Sequence, residues 1–294
     1  MKRIGLIAAL LLLFVSPLHA QLSGVTAALQ LDQDEYLPDE DLQLKVRITN
    51  RSGQDLILGT DNQWISVVIT GDNNFICPKL GDMPVQGEFS LLSGEVGTRT
   101  LNPAPYFDFR KIGRYRLTAR VRIPQWGEEI TCKPVFFTVG YGIPLPSLAN
   151  LQVGLPPAPG VSNAPPEIRF YSLLKASRMK DSKLYFRLND STGKTLKLFP
   201  LARLISFSDP EGQIDRYNNF HVLTQIGAKA FSYCVLNPDG RWLERETFVY
   251  SATRPVLHED TEGHIYVTGG ARQLSFDDFP PPISESAQSN QPQQ

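Results

Sequence analysis

The chain has 294 residues, long enough for about two ordinary domains. Hydrophobic residues make up 41% of it, enough to fill real cores, which excludes a wholly disordered chain. Its 29 basic and 30 acidic residues nearly cancel, so no basic field would displace phosphate counterions and no nucleic-acid partner is expected.

Residues 1–20 read as a secretory signal peptide. Lys2 and Arg3 precede an apolar run from Ile4 to Val15; Ser16-Pro17 and Leu18-His19-Ala20 then lead into Gln21. The run is shorter than the roughly 20 residues a membrane span needs. Its removal leaves 21–294, with 27 basic and 30 acidic side chains and a net charge of −3. No later apolar run is long enough to span, and no cysteine follows the signal to carry a lipid. The expected product is exported, periplasmic or secreted, with no membrane anchor after cleavage.

Residues 21–140 read as strands. Leu42–Thr49 and Tyr115–Ile123 alternate apolar and polar without a break, which puts one set of side chains in a core and the other in water. Weaker strand patterns fall at 25–31, 56–58, 64–70 and 135–139, separated by turn clusters such as Asn50-Arg51-Ser52-Gly53 and Gly71-Asp72-Asn73-Asn74. Many short strands with no long helical pattern predict an antiparallel sandwich.

Two segments here resemble a known pattern. Glu35-Tyr36-Leu37-Pro38-Asp39-Glu40, followed by a strand ending in Asn50, is similar to the Tyr-x-Pro-Gly-Glu … Asn opening of immunoglobulin-like domains in exported and macroglobulin-type proteins, with Asp39 at the glycine position. Ile112-Gly113-Arg114-Tyr115 resembles the Gly-x-Tyr that begins a late strand of those sandwiches. The resemblance covers residues 22–140 and implies architecture only. Such domains serve as spacers, adhesion modules, inhibitor-like domains and enzyme appendages, so no catalytic residue follows from it.

Residues 141–166 contain seven prolines and read as a linker between domains. Residues 167–279 read as a second antiparallel β domain, a meander or a sandwich. Four turns punctuate it: Asp190-Ser191-Thr192-Gly193, Asp209-Pro210-Glu211-Gly212, Asn237-Pro238-Asp239-Gly240 and Asp260-Thr261-Glu262-Gly263. Their glycines are unevenly spaced, so no regular repeat is read. Residues 280–294 lack apolar side chains to pack and read as a disordered tail.

Several groups are candidates for chemistry. Arg114, Arg116, Arg120 and Arg122 share one face of a strand; they form either a stripe for an anionic partner or a solvated face whose charges meet neighbouring acids. The acidic stretch 32–41 lacks the order of a calcium loop. In an oxidising compartment Cys77 and Cys132 are the candidate disulfide, leaving Cys234 free. His258 and His264 flank a turn, and with His221 and nearby acids they are the candidate acid–base or zinc ligands. Ser172-x-x-Lys175 and Ser177-x-x-Lys180 lack the companion motifs of a serine acyl-enzyme site. Trp126, in a turn after an alternating strand, is the candidate glycan contact, against core packing as its alternative; Trp64 and Trp242 carry the same choice.

These features predict an exported, non-enzymatic interaction or structural module with a protein or glycan partner. No cofactor and no metal are expected. The alternatives are a secreted hydrolase, or hydrolase subunit, with its site in the second domain, and an inhibitor of an exported protease presenting loop 71–82 or 124–130.

Overall fold

A computed structural model describes residues 24–155, 166–177, 181–205 and 208–280. The expected signal peptide lies outside these, as do 156–165 of the expected linker and 281–294 of the expected tail. The described chain is all-β, as expected.

The first unit contains β1 (Val25–Leu31), β2 (Glu35–Tyr36), β3 (Leu44–Asn50), β4 (Leu56–Leu58), β5 (Ile65–Gly71), β6 (Phe89–Leu91), β7 (Val96–Leu101), β8 (Gly113–Ile123), β9 (Glu128–Thr131) and β10 (Val135–Val139). One sheet runs β1-β3-β7 and the other β2-β10-β8-β5, with β9 also on β8 and β4 pairing β6 apart. Every pairing is antiparallel except β2 with β10, where Glu35 stands beside Thr138. The alternation in β8 points Tyr115, Leu117, Ala119, Val121 and Ile123 into the core, and β3 answers with Leu44, Val46 and Ile48. Each aliphatic side chain so buried contributes about 1.5–3 kcal/mol.

Two sequence signals of this unit have local causes. Gly113 opens β8 at φ 146°, where an added Cβ would stand 3.2 Å from the Asp72 carboxylate. Tyr115 Oη donates to the Lys111 carbonyl at 2.6 Å, tying the strand start to the preceding corner. Tyr115→Phe is expected to cost about 1 kcal/mol, read by urea unfolding; an unchanged midpoint would show the bond to be idle.

The second unit contains β11 (Ile143–Pro144), β12 (Leu151–Leu155), β13 (Glu167–Ser177), β14 (Ser182–Asp190), β15 (Thr195–Leu204), β16 (Glu211–Ile214), β17 (Phe220–Gln225), β18 (Ala230–Leu236), β19 (Trp242–Val249), β20 (Val256–Glu259), β21 (Ile265–Thr268) and β22 (Ala271–Gln273). A sheet β11-β13-β14-β15, with β12 also on β13, packs against a sheet β16-β17-β18-β19-β22. Tyr171, Phe186, Phe220, Leu184 and Leu236 lie between them, and the β20–β21 hairpin covers the far face through Leu257 and Ile265. Both meander and sandwich are therefore realised: two meanders stacked.

The expected linker is corrected in part. Residues 143–144 and 151–155 pair with β13, so this stretch belongs to the second sheet. Its prolines fit because β11 is two residues long and Pro146 opens a 3-10 turn, positions that spare a ladder donor.

The second expected turn is also corrected. Glu211 and Gly212 lie in β16, and the hairpin turns instead at Asp215–Asn219. Asp190, Asp215, Asn237 and Asp260 each accept two backbone N–H bonds on Oδ1, from two and four residues ahead. The residue three ahead has positive φ in every case: Gly193, Asn218, Gly240 and Gly263. These are three-residue hairpin loops with a left-handed last position. Their true starts, at 190, 215, 237 and 260, are 25, 22 and 23 residues apart, far more regular than the expected set.

Candidate binding cleft between the two sandwiches

The acidic segment between β1 and β3 is held by its own side chains. Tyr36 Oη and the Gln43 amide donate to Asp32 Oδ1 at 2.7 and 3.1 Å. The Leu37 amide and Gln33 Nε2 donate to Glu40, both at 2.8 Å, and Asn102 Nδ2 donates to Asp41 at 2.6 Å. Asp39 has φ 67°, the left-handed conformation that explains why the resembling pattern carries glycine there. Burial raises the Tyr36 hydroxyl above its ordinary pKa, and the Asp32 bond and charge add to this.

Leu37 anchors this segment to the second unit by packing with Leu174, Ala176, Tyr185 and Leu198. Thr195 Oγ1 donates to Asp39 at 3.3 Å and Lys183 Nζ to Gln33 Oε1 at 3.1 Å. Beside this junction runs a cleft of about 770 Å³. Its first wall is Asp32, Gln33, Asp39, Glu40, Asp41 and Gln43; its second is residues 195–200 of β15, closed by the turn at 239–241 and by Trp242. The volume falls in the range of ligand sites.

The cysteine expectation is corrected: Cys77, Cys132 and Cys234 are all free and buried. The Cys77 amide bonds Ile69 of β5, while the Cys132 amide bonds Ala119 on the far side of β8, so both strands lie between the two residues. Three inter-strand spacings, roughly 14 Å, exceed any disulfide reach. Burial pushes the Cys77 and Cys132 thiols up to about 11 and Cys234 up to about 12, so none is an activated thiolate.

The arginine stripe is on one face as read, and two of its four charges meet acids. Arg122 pairs with Asp61 at 2.6 Å and Arg120 with Glu129 at 3.4 Å, while Arg114 lies over the Phe136 ring at 4.8 Å. Arg116 stands between Thr70 and Phe136 of the flanking strands. Trp126 is half-buried against the first core and donates to Gln54 at 3.3 Å. Ser172 is buried and holds the Asn150 amide, so it presents no nucleophile. Among the described residues no three His, Cys, Asp or Glu side chains gather as a metal site.

The histidines do not converge. His258 alternates with the inward Leu257 and faces outward against Tyr266, and His264 rests in its turn on Asp260 at 3.1 Å. His221 is buried on β17, between Asp215 (Nε2 to Oδ2, 3.2 Å) and Tyr233 (Nδ1 to Oη, 2.8 Å). Burial lowers its pKa against the opposing pull of Asp215, so the ring is neutral at pH 7. The Asp215 carboxylate can only accept, which puts the proton on Nε2 and makes Nδ1 the acceptor of the Tyr233 hydroxyl. Burial also works to raise Asp215, but the bonds from Asn219, His221 and Tyr217 outweigh it and hold the carboxyl below its usual range.

Both depressed pKa values make stability fall in acid. The His221 contribution is complete above about pH 6.5 and is lost as pH falls through the lowered folded value; Asp215 follows from about pH 3.8 downward. Glu244, raised by burial and by Glu246, acts the other way and favours the fold below its folded pKa. The melting temperature is expected to drop between pH 7.5 and 5, and to drop less in His221→Gln; equal slopes would remove His221 as the cause.

The chain thus defines an all-β protein of two sandwiches with an acidic cleft between them. No protein-family model matches it, and no curated protein matches it. Among solved structures it is similar to Spo0M, a sporulation control protein from Bacillus subtilis, at 13% identity and a TM-score of 0.29, over 62% of this chain and 90% of that one.

Proposed function

We propose that this is an exported, non-catalytic interaction protein that binds its partner in the cleft between the sandwiches, and that the first sandwich is of immunoglobulin type. The observation carrying the binding role is the cleft itself: two walls fixed by internal bonds, with carboxylates and amides but no histidine, cysteine or metal cluster among its lining residues. The immunoglobulin reading is supported by the strand orders β1-β3-β7 and β2-β10-β8-β5, by the switch of the first strand onto the second sheet, and by the Tyr115 corner. Export is supported by the basic, apolar and cleavable segments of residues 1–20.

The test is affinity capture by the mature chain from the exported fraction, in parallel with Leu196→Trp, which crowds the cleft from the exposed side of β15. A partner retained by the former and lost by the latter is expected. An identical set of captured proteins, or hydrolysis of ester, peptide or glycoside substrates by the purified chain, would overturn the reading.

A further inference from the structure

We infer that β15 receives an extended, basic peptide as an added strand within this cleft, an inference that rests on the cleft being the binding site. Successive side chains of a strand point to opposite faces, so a cavity touched by six consecutive residues, Thr195 to Pro200, runs along the strand's edge. Among the described residues β15 pairs with β14 alone. None of the other backbone bonds of the described chain uses a β15 amide or carbonyl. The cleft-side edge therefore offers main-chain donors and acceptors, which is the requirement for strand addition. Pro200 has no N–H to give, which confines the pairing to residues 195–199.

The charge selects the occupant. Arg169 pairs with Asp239 at 2.7 Å, so the negative charge of the cleft lies on its first wall, where Asp32, Asp39 and Asp41 stand with no lysine or arginine among that wall's lining residues, opposite Lys197 and Arg241. The chain's own segments at 156–165 and 281–294 carry no lysine or arginine, so they do not complement it. A glycan would use free aromatic faces, and these are taken. Phe199 lies between Phe186 at 5.4 Å and Trp242 at 5.7 Å, and Arg245 stands over Trp242 at 5.6 Å.

The test measures fluorescence anisotropy of the mature chain with three labelled nonapeptides: alternating Lys-Val, alternating Glu-Val, and Lys-Val with alternate backbone nitrogens methylated. The Lys-Val peptide is expected to bind, and the other two at least tenfold more weakly. Asp39→Asn with Asp41→Asn, its fold checked by circular dichroism, should weaken the Lys-Val peptide about fivefold or more and flatten the salt dependence. Equal binding of the Lys-Val and Glu-Val peptides, undiminished binding after methylation, or no binding of any peptide would overturn strand addition. Failure here with the partner still lost in Leu196→Trp would leave the binding cleft standing; an identical captured set would remove the cleft reading itself.

Discussion

Trp64→Ala is expected to lower the stability of the first sandwich by about 3–5 kcal/mol, a large share of the roughly 5–15 kcal/mol that holds a domain folded. The side chain is fully buried on the residue before β5, packs edge-on to Phe89 at 5.8 Å, and donates Nε1 to the Val85 carbonyl at 2.7 Å. It therefore pins the 77–88 loop to the core, and its removal leaves both a cavity and an unpaired buried carbonyl. Trp64→Phe keeps most of the volume and should cost about 1–2 kcal/mol. Urea unfolding with both variants separates packing from the hydrogen bond; similar midpoints for the two would show that the loop, not the core, carries the loss.

Asp215→Ala should be comparable, about 3–5 kcal/mol, because four hydrogen bonds to one charged, buried carboxylate are lost together. One carboxylate, 8% exposed, accepts the Tyr217 and Asn219 amides, Asn219 Nδ2 and His221 Nε2. Its loss opens the β16–β17 turn and leaves the ring of His221 without its orienting acceptor. Asp215→Asn keeps acceptors for the turn but not the charge, so it should recover about half of the loss. Differential scanning calorimetry at pH 7.5 reads both; a Tm within 1–2 °C of the parent protein for the alanine variant, roughly 0.5 kcal/mol, would refute the role.

Much of the first sandwich was legible because burial and alternation coincide there. The strands read at 25–31, 56–58 and 135–139 are β1, β4 and β10, and those at 42–49 and 115–123 lie within two residues of β3 and β8. Strand β7 was illegible because Val96–Leu101 buries little besides Leu101, so no period-two pattern marks it. The Asp215 turn escaped because asparagine, not glycine, takes its left-handed position; the signal was an acceptor side chain three residues before a residue tolerant of positive φ. The cleft could not be read from spacing at all. Asp39 and Thr195, which meet across it, are 156 residues apart, and only the fold brings them together.

The two sandwiches differ in when they can form. The first closes only when Glu35 finds Thr138 in the β2–β10 pairing, more than a hundred residues later. The second is built mostly from hairpins between neighbouring strands, four of them (β14–β15, β16–β17, β18–β19 and β20–β21) closed by local Asx-headed loops. Low sequence separation of contacts favours fast folding, whereas distant pairings wait on loop closure. On a chain emerging from its N-terminus, the first sandwich must stay open until about residue 140 has arrived, while the second assembles hairpin by hairpin as it appears. The slow step in building this protein, and the moment of greatest exposure to aggregation, therefore falls early in the chain, before the cleft has its second wall.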